Sequence, residues 1–277
     1  AKPRLSKRKL ARPRSASSRQ AEPMPGDPMF YLVGWITTLL MGIGKGAFGG
    51  GLAILGVPLL ALVVDPLQGA IMVAVLIAAM DLFAIGSFGA STWSKPDLAW
   101  LIPGLIAGIA IGYAVFLIVD ARIVTLTIGL VTLAFTAHWF LRGRTAPAGQ
   151  LPVSRPLALL AGTASGFTTF VAHAGGPPVA MYLLARGLSK TAFVGTTIAF
   201  FMLGNLLKLP PYLALGLKQP QVLWAALVLL PAAPIGVWIG RWLHERLDQK
   251  RLFFACYLLL AVAALKLTAD AALALLR

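Results

Sequence analysis

The chain has 277 residues, of which 58% are hydrophobic and 12% charged, with a mean hydropathy of +0.84 and a net charge of +15. Soluble domains carry about a quarter charged residues, so this composition excludes an ordinary water-soluble fold and marks an all-α integral membrane protein. The basic excess does not define a nucleic-acid groove. Residues 1–28 hold eight Lys/Arg against Glu22 and Asp27, and most of the rest lie in short loops, which is a topology signal.

Taken in order, residues 1–28 form a basic tail without the apolar core of a secretory signal, expected to be disordered. The chain opens at Ala1, with Met24 and Met29 just ahead of the first apolar run. The tail therefore reads as an over-extended or truncated start, the alternative being an anchor drawn to anionic lipid. Residues 29–141 then form a first membrane repeat, 142–155 a basic connecting loop and 156–277 a second repeat. Within them, 67–89, 98–119, 122–141, 190–208, 219–241 and 251–270 approach the ~20 apolar residues that a crossing needs. The regions 29–64 and 156–186 are longer than one helix and each is cut by a glycine-rich break. Each is either one broken span or a hairpin of two short helices, giving about eight transmembrane helices in all. A single span makes the repeats parallel; a hairpin makes them inverted. Cys256 stands alone, which excludes a disulfide within the chain and a cysteine-pair metal site, and reads as a small buried hydrophobe.

The two breaks are in register. Gly46 and Pro58 fall on Gly166 and Pro178 when the first half is shifted onto the second, and Gly56 falls on Gly176. Further along, Pro96, Trp100 and Gly112 match Pro220, Trp224 and Gly236, and Asp81 matches Asn205. Unpaired backbone costs several kcal/mol in lipid, so an interrupted helix survives only inside protein or beside a water-filled cavity. Paired interruptions in two halves point to a transport site. Each helix that restarts after a break would aim free amides, and roughly half a positive charge, at that site. Leu52 and Pro177 are the expected restarts, and the competing role for the glycines is close helix packing.

The groups expected to bind an anion are Lys45, Gly49, Gly50, Gly51, Pro58, Thr168, Thr169, His173, Gly175, Gly176, Pro177, Pro178 and Asn205. Lys45 would add a full positive charge, or else snorkel to an interface. Thr168 and Thr169 offer hydroxyls, or bond only their own helix. Asp81 and His173 are candidate coupling groups for a proton or sodium ion, the alternative for Asp81 being a buried interhelical hydrogen bond. Lys208 reads as a vestibule cation or a helix-end anchor, and His138 and His244 as interfacial. No phosphate loop, nucleophile elbow, paired carboxylates or zinc helix is present, so neither an enzyme nor a cofactor is expected.

Three stretches resemble the TauE/SafE sulfite exporters, also called toluene-sulfonate uptake permeases. They are Gly46 to Gly51 followed by Pro58, Ala172 to Pro178 with Tyr182-Leu183-Leu184, and Gly204 to Pro210. The resemblance covers about residues 30–270. It implies a bacterial inner-membrane permease of seven or eight helices for small sulfur-containing or organic anions such as sulfite, sulfonates or sulfoacetate. It also marks Gly49, Gly50, Gly51, Pro58, Gly175, Gly176, Pro177 and Pro178 as signature positions. The chain departs from it in its long basic tail and in Ala174, where many members continue a glycine run. The rival expectation is a membrane scaffold or maturation partner that transports nothing.

Overall fold

The computed structural model describes residues 27–50, 55–60, 62–115, 121–141, 152–171 and 175–275. Most of the tail, with Gly51, Leu52 and His173, lies outside these residues. The described chain forms helices α1 (Pro28–Phe48), α2 (Gly56–Leu60), α3 (Pro66–Ser87), α4 (Lys95–Val115), α5 (Ala121–Leu141), α6 (Arg155–Val171), α7 (Gly176–Ala185), α8 (Lys190–Gly216), α9 (Pro220–Leu229), α10 (Ala232–Arg246) and α11 (Gln249–Leu275), and no strand. Local chemistry starts α1: the Asp27 carboxylate accepts the Met29 amide at 2.9 Å, and Pro28 has no amide to lose. The expected span 219–241 is a single crossing interrupted between α9 and α10 at Pro231, whose missing N–H breaks the helical ladder.

Six of these stretches are long and apolar enough to cross a membrane: Pro28–Phe48, Gln68–Ser87, Lys95–Ala114, Lys190–Ala214, Pro220–Arg246 and Gln249–Leu275. Their outward faces carry large apolar side chains, among them Leu82, Tyr113, Trp224 and Trp238, which is what lipid in place of water allows. The protein is a multi-pass membrane protein.

Two helix pairs pack closely because glycines let backbones touch. Gly42 and Gly46 of α1 meet Gly236 and Gly240 of α10, and a Cβ on Gly46 would lie against the Val237 carbonyl and 2.8 Å from the Arg241 amide nitrogen. Gly104 and Gly108 of α4 meet Gly162, Thr163 and Phe167 of α6 in the same way. Gly46 and Gly166 therefore lie within helices as packing residues, and the breaks proper begin later. Gly34, Gly42 and Gly46 meet Leu229, Gly236 and Gly240 in that order, so α1 runs parallel to α10, and the ordered contacts of Gly104, Gly108 and Gly112 with Thr163, Phe167 and Phe170 make α4 parallel to α6.

The other two main pairs are antiparallel. Between α3 and α8, Gln68 donates to Gln219 at 3.3 Å at one end, and Asn205 donates to Asp81 at 2.8 Å deeper in. The Ser94 amide, just beyond α3, donates to Thr196 at 2.7 Å at the other end. Between α5 and α11, Arg122 donates to the Ala274 carbonyl at 2.9 Å, and Phe140 meets Phe254 at the opposite end.

These contacts resolve the two broken regions as hairpins. After α1, the chain returns along α2: Gly56 sits against Met41 and Val73, and Leu60 against Gly69 in the second turn of α3. After α6, α7 returns to the end where α6 began, since Arg186 at its C-terminus bonds Asp97 in the first turn of α4. Neither region is one broken span.

Candidate functional site

Both breaks border one hollow rather than a close-packed seam. It has a volume of about 320 Å³ and is walled by α1, α2, α3, the α6–α7 hairpin, α8 and α11. Apolar walls come from Phe48, Val57, Val73, Ile77, Phe193, Phe201, Leu259 and Leu260, and the polar groups are Lys45, Thr169, Thr197, Asn205, Lys208, Lys266 and Asp270.

At the first break, Gly49 takes a left-handed conformation (φ +78°), and the Gly49 and Gly50 amides turn back onto the Lys45 and Gly44 carbonyls at 3.1 Å. A Cβ at Gly49 would also meet Thr197 at 2.8 Å, so only glycine fits this helix end without strain. Lys45 lies in the last turn of α1, within the helix rather than within the break. A helix C-terminus carries partial negative charge, which a last-turn lysine offsets. The cavity thus meets the first break through the C-terminal end of α1, with Gly50 and Phe48 beside Lys45. The described restart is at Gly56, in a helix of five residues, and the expected restart at Leu52 lies outside the described residues. Pro58 is the third residue of that helix rather than a kink further along it.

At the second break, Ser165 donates its hydroxyl to the Gly175 carbonyl at 2.5 Å, and α7 restarts at Gly176 with Pro177 in its first turn, as expected. Gly175, Gly176 and Pro177 line the cavity; Pro178 is buried outside it. The two threonines divide. Thr168 donates to the Ala164 carbonyl of its own helix at 2.6 Å and does not line the hollow, whereas Thr169 does.

Charge is arranged unlike the sequence expectation for Lys45. Its ammonium forms an ion pair with Asp81, buried on both sides, and sits 5.6 Å from the centre of the Phe201 ring. The second Asp81 oxygen accepts the Asn205 amide. Lys45 is therefore neutralised within the protein, and Asp81 joins α1, α3 and α8. Lys208 donates to Thr169 Oγ1 at 2.8 Å and has no salt bridge among the described residues. Lys266 and Asp270 pair with each other at 2.5 Å, where the hollow follows α11 outward. Sequence reasoning missed the α11 wall, because Cys256, Ala263 and Leu267 look like any other lipid-span residues.

A second polar cluster lies where α4 and α8 begin. Fully buried Asp97 accepts from Tyr182 at 2.5 Å, from Arg186 at 2.8 Å and from Ser94 at 2.6 Å. His244, expected at an interface, is buried: its ring nitrogens lie 3.3 Å from the Ala47 carbonyl and from the Thr191 hydroxyl. Lys190 donates to the His244 carbonyl at 2.8 Å, and Arg241 to the Ser87 carbonyl at 2.8 Å. This end is cross-linked by polar contacts among α1, α3, α4, α7, α8 and α10.

A multi-pass helical membrane protein with interrupted helices around a largely apolar hollow that holds a few charged and polar groups has the build of a transporter. The chain matches the family described as "TauE: Sulfite exporter TauE/SafE" over residues 35–267. It belongs to that family of membrane transporters. No curated protein and no solved structure matches it.

Proposed function

We propose that this protein is a secondary permease of a bacterial inner membrane that carries small sulfur-containing or organic anions, such as sulfite, sulfonates or sulfoacetate, through the cavity between the two breaks. The observation that carries this reading is a hollow among the helices lined by Lys45, Thr169, Gly175, Asn205 and Lys208, with one cation, Lys208, left without a carboxylate partner among the described residues. Proteoliposome flux tests it. Uptake of labelled sulfite, methanesulfonate or sulfoacetate above protein-free vesicles is expected, and no flux with any of them would refute it.

The alternating access we propose uses residues 29–141 and 156–277 as inverted repeats. Each contains a hairpin followed by three crossings, α1–α2, α3, α4 and α5 against α6–α7, α8, α9–α10 and α11, which makes eight membrane segments. Two contacts support the symmetry. The α4–α6 pairing has its counterpart in α10–α1, and Asp81 touches Asn205, its equivalent in the other repeat, as residues on a two-fold axis must. With the basic tail before α1 set aside, Lys95, Arg155, Arg186, Lys190, Arg241, Arg246, Lys250 and Arg251 gather at one end, which by the positive-inside rule faces the cytoplasm. Reporter fusions before Arg155 and after Arg246 are both expected to read cytoplasmic. Opposite readings would exclude the inverted arrangement.

A further inference from the structure

The charge arrangement of the hollow goes one step beyond a generic anion site, and this step rests on the permease reading. We infer that Lys208 is the residue that anchors the transported anion, and that the site is built for a single negative charge. Three facts lead there. Lys45 is cancelled by Asp81, and Lys266 by Asp270, so among the described residues the lining keeps one net positive charge, on Lys208. The Lys208 ammonium spends one of its three N–H donors on Thr169 Oγ1, leaving two to point at a ligand. Thr169 sits on the last turns of α6, so this hydrogen bond places the ammonium beside Gly175, Gly176 and Pro177 where α7 restarts. Pro177 and Pro178 have no amide hydrogen, so the backbone donors at that restart are the Gly175 and Gly176 amides.

The charge count then selects. A monoanion on Lys208 leaves the hollow neutral, whereas a dianion leaves one uncompensated negative charge beside apolar Val73, Ile77 and Phe201. Displacing Asp81 from Lys45 does not help, because it frees a carboxylate in the same enclosure. Uncompensated charge in a low-dielectric surround is heavily disfavoured. Singly charged sulfonates, monocarboxylates and hydrogensulfite meet the requirement. Sulfate does not, nor does sulfoacetate, whose sulfonate and carboxylate make it a dianion, so the charge count narrows the permease reading.

Methanesulfonate and sulfate make the test clean, being tetrahedral, of similar size and different in charge. In proteoliposomes with the wild-type protein, unlabelled methanesulfonate should compete with labelled methanesulfonate uptake at least about tenfold better than sulfate does, the ratio expected when one charge goes unpaired in such a site. Lys208→Gln should raise KM for methanesulfonate by about tenfold or more, and Lys208→Arg should recover most of that loss, since a hydrogen bond to an ionised group is worth about 1.5–3 kcal/mol. Thr169→Val, which leaves the lysine in place but removes its holder, should give a smaller rise. Equal competition by sulfate overturns the charge count without any variant. A Lys208→Gln protein with wild-type KM overturns the anchor. Wild-type protein that moves other anions but not methanesulfonate overturns this inference alone, while failure to move any anion overturns the permease reading beneath it.

Discussion

Replacing Lys45 by methionine should destabilise the protein by about 3–5 kcal/mol, the usual cost of stripping one partner from a buried ion pair. Adding Asp81→Asn should restore most of that loss. The reason is the burial of Asp81: once its ion-pair partner is gone, a carboxylate that still accepts the Asn205 amide is left buried without its salt bridge. An asparagine at position 81 keeps the contact with Asn205 and carries no charge to be stranded. Thermal unfolding of the four proteins in detergent closes the cycle. A double variant no more stable than Lys45→Met would show that the pair is not the source of the penalty. The pairing also changes how a Lys45 variant must be judged. Lost transport in Lys45→Met alone would mix a missing cation with a damaged fold, so activity should be measured in the double variant.

The second large effect is expected at the opposite type of cluster, away from the hollow. Asp97→Ala removes the shared acceptor of Ser94, Tyr182 and Arg186 and leaves a guanidinium buried whose Nη1 already lacks a hydrogen-bond partner among the described residues. A loss of about 3–5 kcal/mol is expected, against about 0.5–1.5 kcal/mol for Tyr182→Phe, which removes one donor and strands no charge. The consequence should be local as well. Asp97–Arg186 is the tie that fixes the far end of α7 to α4, so hydrogen exchange over residues 176–185 should speed up in Asp97→Ala more than exchange over α11. Unchanged protection of 176–185 would mean that packing alone holds the hairpin.

Much of the site can be read from residue types and spacing, because membrane sequence penalises what it does not use. A lysine, an aspartate and two glycine-rich interruptions among long apolar runs are expensive wherever they lie. That cost singled out Lys45, Asp81, Thr169, Gly175, Gly176, Pro177 and Asn205 before any coordinates, although it gave Asp81 no partner. Gly46 and Gly166, counted with the interruptions, turn out to serve helix contact, since a packing glycine and a hinge glycine look alike in a list of residues. Asp97 and Arg186 went unnoticed because each sits at the end of an apolar helix, where a polar residue looks like an ordinary interfacial one, and Tyr182 was noticed only as part of a signature stretch, not as their partner.

Composition and periodicity by themselves determined that this is a helical membrane protein with two matched interruptions, because burying backbone in lipid leaves few alternatives. Tertiary structure alone decided that both interrupted regions are hairpins, that Lys45 is spoken for by Asp81, and that Lys208 is the cation left over. Those outcomes depend on contacts between residues 36, 39, 89 and 124 positions apart in the chain. A sequence reports the charges and the cost of burying them, but which opposite charge lies within reach is set only when the helices pack.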